Sequence, residues 1–301
     1  MHSIRQIHSG NGDFFHGATP DLSKERNMKY KMIVLDLDGT LTNSRKEITP
    51  RTKQALMQAQ AKGIHVVLAS GRPTYGIMPL AEELELKKYG GFILAFNGGK
   101  IINCTDGAVL FEQKLDEKLV PLLYDEAMKA GMAILTYQSE GIATTDKENR
   151  YVQEEAFINK MPVVQYNDFL GQLVYPVNKC LIVGDPSPLH ELELRLAEKM
   201  EGKMEVYRSA EYFIECVPRG IDKARSIDRL ITTLGIRREE VIACGDGYND
   251  LSMIRFAGLG VAMANAAEGI RQKADFITLS NEEDGVAHVV EQFILSEKKD
   301  V

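Results

Sequence analysis

The stretch from Met28 to Thr40, MKYKMIVLDLDGT, joins a run of apolar residues to two aspartates that are separated by a single leucine. Near-continuous apolar runs are typical of parallel strands that are covered on both faces of a sheet. Because side chains alternate along a strand, Asp36 and Asp38 are predicted to point the same way from its carboxyl end, where ligands bind in open α/β sheets. Two carboxylates about 4 Å apart, at an effective dielectric of about 20, repel by about 4 kcal/mol. A divalent metal or a bound proton would relieve that repulsion.

Similar apolar runs recur along the chain and alternate with helical patterns. The segment from Thr49 to Gly63 has a capping residue, Pro50 at the first helical position and a glycine at its end, which are boundary signals of a helix. The alternation predicts an α/β fold, a doubly wound parallel sheet with helices on both faces. The other strand-like runs are 63–71, 91–99 and 240–247, and the other helical patterns that lie next to strands are 222–235, 249–258, 265–274 and 283–295.

The central part of the chain shows pairs of short strands joined by turn residues. KIINC and AVLFEQ form one pair, and MAILTYQ and GIATTD form the other, which predicts two hairpins. Two helices, roughly 116–131 and 188–202, are predicted to cover one face of this antiparallel sheet. The pattern therefore predicts an α+β module inserted into the α/β domain.

These patterns predict a division of the chain into domains. We expect a core formed by residues 28–100 and 210–301 and an inserted α+β cap domain over residues 101–209, with a binding crevice between them. Residues 1–27 are polar and show neither a helical nor a strand period. We expect this N-terminal extension to be dispensable for activity and stability.

Composition and charge exclude several classes of protein. The chain has 36 Lys and Arg against 43 Asp and Glu, and the net charge of −7 repels nucleic-acid phosphates and anionic lipids. No apolar run approaches the roughly 18 residues of a membrane span. The four cysteines are far apart and form no Cys-x-x-Cys pair for zinc or redox exchange. We expect a cytoplasmic protein that binds neither nucleic acid nor membranes.

Three further segments place polar residues after strands or at helix starts. Ser70 follows the second strand and could meet a phosphoryl oxygen, while Lys223 begins a helix, where a cation and free N–H groups can face an anion. Residues 245–250, GDGYND, add two carboxylates and an amide, and oxygen ligands of this kind are what Mg²⁺ prefers. Taken singly, these segments are explained as a helix cap, a surface lysine and an Asp-Gly turn.

In combination, the four segments resemble the four motifs of the haloacid dehalogenase-like (HAD) hydrolase superfamily. The surrounding sequence resembles its Cof-type phosphatases, including the turn Asn97–Gly99 and the stretch 284–287. The interval from Asp36 to Ser70 holds only one helix and one strand, whereas the longer interval from Ser70 to Lys223 leaves room for the antiparallel module. The resemblance therefore implies a Rossmann-like HAD core with the large α+β cap placed after the second motif.

The resemblance also implies the catalytic and metal-binding roles. Asp36 would be the nucleophile that forms an aspartyl-phosphate, and Asp38 would be the general acid and base. Mg²⁺ would be held by the side chains of Asp36 and Asp246 and by the backbone carbonyl of Asp38.

The remaining implied roles concern the phosphate. Ser70, Lys223 and Asn249 would bind phosphoryl oxygens, and Asp250 would orient the metal shell and the lysine. Asp222 departs from the family pattern, because relatives often carry a small residue before the lysine.

By resemblance we expect a Mg²⁺-dependent phosphatase that hydrolyses small phosphomonoesters, sugar phosphates in particular. Its partner would be a small phosphorylated metabolite, and the oligomeric state is left open. Asp38 favours ester hydrolysis, but hexose-phosphate mutases and phosphotransferases retain this acid, so they stay an alternative. A non-catalytic, phosphate-responsive regulatory module is a further alternative, since receiver domains also place carboxylates and a lysine at strand ends. Five cap residues could reach a substrate, although surface or packing roles are favoured for each: Tyr137, Arg150, Tyr151, Lys179 and Arg208.

Overall fold

The computed structural model describes residues 29–296, so the expected extension over residues 1–27 lies outside the described residues. The strands, in chain order, are β1 Met32–Leu35, β2 His65–Ala69, β3 Phe92–Ala95, β4 Lys100–Asn103, β5 Val109–Glu112, β6 Ala133–Gln138, β7 Gly141–Thr144, β8 Val163–Gln165, β9 Cys180–Val183, β10 Glu205–Ala210, β11 Phe213–Val217, β12 Val241–Gly245, β13 Leu259–Ala262 and β14 Phe276–Ile277. The helices are α1 Pro50–Ala61, α2 Thr74–Glu83, α3 Leu86–Tyr89, α4 Val120–Lys129, α5 Arg150–Asn159, α6 Phe169–Gln172, α7 Pro186–Lys199, α8 Lys223–Leu234, α9 Leu251–Phe256, α10 Glu268–Arg271 and α11 Gly285–Val290.

The first sheet has the order β14-β13-β12-β1-β2-β3-β4-β5. Its strands are parallel from β14 to β3, and β4 and β5 are antiparallel at one edge. The central strand β1 lies between β12 and β2 and is buried along its whole length. The predicted doubly wound parallel sheet is confirmed.

Alternation along β1 determines which helices it contacts. Ile33 and Leu35 belong to a buried cluster with α1, α2 and α11, whereas Met32 and Val34 belong to a second cluster with α8 and α9. Successive side chains of a strand point to opposite faces, so the two clusters cover the two faces of the sheet. Helix α1 has the predicted cap, because the side chain of Thr49 accepts a backbone hydrogen bond from the first turn of this helix.

The second sheet has the order β10-β11-β9-β6-β7-β8, and all of its neighbouring pairs are antiparallel except β7 with β8. Helices α4 and α7 pack on one face, as predicted for residues 116–131 and 188–202, and α5 packs on the other. Helix α5 was not predicted, although Asn149 is a good capping residue and its side chain accepts the first-turn hydrogen bond. We call β6–β11 and α4–α7 the second module.

One predicted hairpin lies in a different sheet from the one expected. β4 and β5 extend the first sheet, with Asn103 paired opposite Phe92 of β3. The connection over residues 96–99 is short, so β4 pairs with the adjacent open edge of β3, whose backbone groups need partners. The second sheet also continues to Val217, past the expected cap boundary at residue 209. The division into a core and a cap domain stays a prediction.

The four cysteines all lie within residues 29–296 and carry free thiols. Cys180, Cys216 and Cys244 are free and buried, and Cys104 is free and partly buried. Burial raises the pKa of Cys180 to about 12, so this thiol behaves as a small apolar group. Within residues 29–296, none of the helices combines the length and the apolar character that crossing a membrane requires.

Candidate active site

A buried lysine joins two of the predicted carboxylates. Nζ of Lys223, the first residue of α8, lies 2.7 Å from Oδ1 of Asp36 and 2.5 Å from Oδ1 of Asp250. It also donates a 2.9 Å hydrogen bond to the carbonyl of Ala69 at the end of β2. The lysine side chain is fully buried. These contacts bring together the carboxyl ends of β1 and β2, the start of α8 and the loop that follows β12.

The electrostatics of this group follow from its burial. Burial alone would lower the pKa of Lys223, but the charges of Asp250 and Asp36 outweigh it and raise the pKa above its usual value. The pKa of Asp36 is also raised, first by burial and next by the charge of Asp250, although Lys223 opposes the change. A buried carboxylate that faces other carboxylates needs more positive charge than one lysine supplies. The site is therefore suited to a further cation.

The residues that could hold that cation form an acidic cluster. Asp36, Asp246 and Asp250 each place a carboxylate oxygen within 4.8 Å of the other two. Thr40 donates a 2.7 Å hydrogen bond to Oδ1 of Asp246, and burial is the main reason that the pKa of Asp246 rises to about 6. Oδ2 of Asp250 accepts the backbone N–H groups of Asp246 and Gly247, at 3.1 and 2.9 Å, while its Oδ1 faces the lysine.

In the part of the chain that the structure describes, Asp36 and Asp246 each have a carboxylate oxygen that the protein does not bind, whereas Asp250 has none. Both oxygens of Asp250 are engaged by the protein, whereas Oδ2 of Asp36 and Oδ2 of Asp246 accept no hydrogen bond from residues 29–296. Free carboxylate oxygens of this kind suit a hard divalent cation such as Mg²⁺. The predicted ligands are Asp36, Asp246 and the backbone carbonyl of Asp38. This ligand set stays a prediction, and the chemistry of these oxygen donors fits it.

Gly39 allows the β1 loop to approach the acidic cluster. Its φ is +84°, in the region that favours glycine, and a Cβ atom at this position would lie 2.3 Å from Oδ2 of Asp246. A side chain here would therefore occupy the place of a free carboxylate oxygen. The glycine of the Asp-Gly-Thr sequence is therefore required by close packing against Asp246.

The side chain of Asp38 contacts two cations. Arg72 binds it through Nε at 2.7 Å and Nη2 at 2.5 Å, and Nζ of Lys46 lies 2.6 Å from Oδ1. Burial alone would raise the pKa of Asp38, but the hydrogen bonds and charges of Arg72 and Lys46 hold it below its usual value. Neither cation was predicted as a site residue. Arg72 carried a signal, because it lies two positions after Ser70 in the loop beside β1, whereas Lys46 carried none.

Two loops of the first sheet connect the predicted phosphate-binding residues. Ser70 is buried, and its Oγ accepts the backbone N–H of Arg72 at 3.1 Å. Within residues 29–296 no group accepts its hydroxyl hydrogen, which can therefore be donated to a ligand. Its carbonyl accepts the backbone N–H of Asn97 at 2.9 Å, and the side chain of Asn249 donates to Asn97 at 3.2 Å. The sequence indicated Asn97 only as part of a turn that resembles the family. Its φ of +55° lies in a region that Asn tolerates well. It links Ser70 to Asn249.

The unusual Asp222 has a local structural role. Its side chain accepts the backbone N–H of Arg225 at 3.1 Å and so caps helix α8. Acidic residues are favourable at this position because the first turn of a helix has unpaired N–H groups. The extra charge stabilises the helix that presents Lys223.

The five polar residues considered in the second module have different surroundings. Lys179 is buried and donates to the carbonyl of Gly71, next to Ser70. The other four contact acidic residues of the second module: Tyr137 contacts Glu155, Arg150 and Tyr151 contact Asp185, and Arg208 contacts Glu193.

The chain is similar to several known proteins along most of its length. The family described as haloacid dehalogenase-like hydrolase matches residues 33–290. The chain is 32% identical to the phosphatase YwpJ of Bacillus subtilis over 88% of this chain and 100% of that protein. A crystal structure of a haloacid dehalogenase-like hydrolase from Bacteroides thetaiotaomicron is 55% identical, with a TM-score of 0.86 over 88% of this chain and 99% of that one. An HAD subclass IIB sugar phosphatase is 25% identical, with a TM-score of 0.71 over 87% and 98% of the two chains.

Proposed function

The chain belongs to the haloacid dehalogenase-like hydrolase family and is a Cof-type phosphatase, and we propose that it hydrolyses small phosphomonoesters, sugar phosphates in particular, with the help of Mg²⁺. One observation carries this proposal above the others. Lys223 is buried between Asp36 and Asp250, and each of these two carboxylates has an oxygen within 4.8 Å of an oxygen of Asp246. That arrangement offers a nucleophile, a cation for phosphoryl oxygens and a set of metal ligands in one place.

Asp36 performs the first displacement. A carboxylate oxygen of Asp36 attacks phosphorus, and the bond from phosphorus to the leaving oxygen breaks. Lys223 and Ser70 bind the phosphoryl oxygens, on which charge develops during the transfer. The product of this step is an aspartyl-phosphate and the leaving alkoxide.

Asp38 supplies and then recovers a proton. In the substrate-free protein Arg72 and Lys46 favour its ionised form. A phosphate dianion beside Asp38 competes for the same two cations and so favours protonation when substrate is bound. Asp38 then gives that proton to the leaving alkoxide and later takes a proton from the water that attacks the aspartyl-phosphate. Inorganic phosphate leaves, and Asp36 returns to its starting form.

The acidic cluster fits Mg²⁺. Asp36, Asp246 and the backbone carbonyl of Asp38 would hold the ion, and Asp250 would orient Lys223 and the loop that carries Asp246. The bound ion supplies positive charge that offsets the repulsion between a carboxylate nucleophile and a phosphate dianion.

One comparison supports sugar phosphates as the substrate class. A protein that is 25% identical to this chain, with a TM-score of 0.71, is named a sugar phosphatase.

The test is the release of inorganic phosphate from a panel of sugar, nucleotide and cofactor monoesters, with Mg²⁺ and again with EDTA. We expect release that depends on the metal and is highest in kcat/KM for sugar phosphates. Asp36→Asn should abolish release, whereas Asp228→Asn, a matched change at an exposed position of α8, should not. An isomeric phosphate ester in place of free phosphate would indicate a mutase or phosphotransferase. A stable phosphoenzyme without turnover would indicate a regulatory module.

A further inference from the structure

The second module contacts the first sheet at the loop that follows β2. Lys179 directly precedes β9, and its Nζ lies 3.2 Å from the carbonyl oxygen of Gly71. The same nitrogen lies 2.8 Å from Oε2 of Glu215, which belongs to β11. The side chains of Lys179 and Glu215 are only 4% and 9% exposed. One buried ammonium group therefore joins the second module to the first sheet.

The surroundings of Lys179 hold its ammonium group in one position. Glu215 is itself fixed, because it also accepts a 3.0 Å hydrogen bond from Ser209. The ring of Tyr137 lies against the ammonium group, with its centroid 5.5 Å from Nζ. Burying such an ion pair costs more than it returns unless the geometry is well defined, so it is weak evidence of a contribution to stability. Its defined geometry does direct a hydrogen bond at Gly71.

Gly71 lies between two residues of the candidate active site. Ser70 precedes it and is the expected ligand of a phosphoryl oxygen. Arg72 follows it and binds both oxygens of Asp38. A shift of the peptide at Gly71 would therefore move the phosphate ligand and the partner of the general acid together.

A second contact reaches the neighbouring loop. The side chain of Asn97 donates to the hydroxyl of Tyr207, in β10, at 3.4 Å. The backbone N–H of Asn97 donates to the carbonyl of Ser70, and that of Phe96 donates to the carbonyl of Arg72. The two loops are thus hydrogen-bonded to each other, and each contacts the second module.

We propose that Lys179 is a positioning residue that acts through Gly71. When the second module is docked, Lys179 holds the Gly71 carbonyl and sets Ser70 and Arg72 in their working positions. The proposal rests on the proposed phosphatase function. It couples the chemical step to docking of the second module, whichever alcohol is the leaving group.

The first test measures the loops without requiring turnover. Lys179→Met removes the donor, and the double variant Lys179→Met with Glu215→Gln avoids a buried carboxylate without a partner. Hydrogen–deuterium exchange of residues 70–72 and 96–98 should be at least about tenfold faster in both variants than in the wild type. Lys199→Met is the control, because Lys199 also forms an ion pair in the second module but is about half exposed. Unchanged exchange in the double variant would overturn the proposal.

The second test separates positioning from contact with the leaving group. In the Lys179→Met and double variants, kcat should fall by about tenfold to a hundredfold, with little change in KM. The factor should be similar for p-nitrophenyl phosphate and for a hexose phosphate. Lys179→Arg keeps a donor and should recover part of the loss; it also provides the comparison if the methionine variants do not fold. A loss confined to KM for the hexose phosphate would overturn the proposal, because Lys179 would then bind the sugar. If the wild type releases no phosphate from any ester, the proposed function fails, whereas the exchange measurement still decides the role of Lys179.

Discussion

Arg72 binds Asp38 through two nitrogens, with Nε 2.7 Å from Oδ2 and Nη2 2.5 Å from Oδ1. The arginine side chain is only 8% exposed, and its third nitrogen donates to the carbonyl of Gly76 at 3.3 Å. The guanidinium is therefore held against the first turn of α2. Its contact with Asp38 joins the loop after β2 to the loop after β1. The expected general acid is held by a residue from the loop that follows the neighbouring strand, β2.

Arg72→Lys should lower kcat/KM by about tenfold to a hundredfold, because a lysine keeps the charge but cannot form the paired hydrogen bonds that hold Asp38 in one orientation. Steady-state kinetics with a sugar phosphate measures this. Arg51→Lys is the matched control, since Arg51 forms an exposed pair with Glu291 away from these loops. Wild-type kinetics in Arg72→Lys would contradict a role for the two-nitrogen contact.

Gly39→Ala should raise the Mg²⁺ concentration needed for half-maximal activity and lower the melting temperature. Its Cβ would lie 2.3 Å from Oδ2 of Asp246, and its φ is +84°. Gly63→Ala is the control, because Gly63 has a similar φ of +90° and no atom within 4 Å of its Cβ. Both variants should lose about 1 kcal/mol of stability from backbone strain. An equal Mg²⁺ requirement in the two variants would show that the contact with Asp246 is unimportant.

Asp246→Asn should weaken Mg²⁺ binding by at least about tenfold, because the amide removes one negative charge and one strong oxygen ligand. Calorimetric titration of the substrate-free protein with Mg²⁺ measures this directly. Asp228→Asn should bind Mg²⁺ like the wild type. Wild-type affinity in Asp246→Asn would place the ion elsewhere.

Glu240→Gln should make the stability of the protein less dependent on pH. The backbone N–H of Arg237 donates to Glu240 at 2.8 Å, and Lys31 lies 3.0 Å away. These groups, the backbone hydrogen bond first, lower the pKa of Glu240 from 4.5 to about 2. The unfolded chain thus binds more protons between these values, so the stabilisation is complete above about pH 4.5 and is lost as the pH falls toward about 2.

The measurement for Glu240 is denaturant unfolding of the wild type and the variant at two pH values. Glu240→Gln should lower the free energy of unfolding by about 1 to 2 kcal/mol near pH 7, where a charge-assisted hydrogen bond is lost. The difference should shrink to less than half at about pH 3. A constant difference would mean that the carboxylate charge does not contribute.

Local sequence patterns predicted much of the fold. The apolar run before Asp36 predicted β1 in a parallel sheet, and the capping signals at Thr49 and Pro50 predicted α1. Helix α5 was missed because its polar and apolar residues mix, and the hairpin of β4 and β5 was assigned to the wrong sheet.

Some residues of the candidate site were predicted from the sequence and others were not. Asp36, Lys223 and Asp250 were predicted from motifs, and they are in direct contact. Lys46, Arg72 and Asn97 were not predicted as site residues, although they contact Asp38, Ser70 or Asn249. A motif identifies residues that lie after strands, but it carries no information on which side chain of another loop reaches them.

Sequence patterns were enough to predict β1, β2, β3 and β12, the order of the motifs and the carboxyl edge where the motifs meet. Strand and helix periodicity are local properties, and parallel strands end at one edge of a sheet. The contacts of Arg72 and Lys46 with Asp38, and of Lys179 with Gly71, became visible in the folded chain alone. Those contacts join residues that are distant in the chain or lie in separate loops. They form only when packing brings the groups within hydrogen-bond distance and burial excludes the water that would otherwise be their partner.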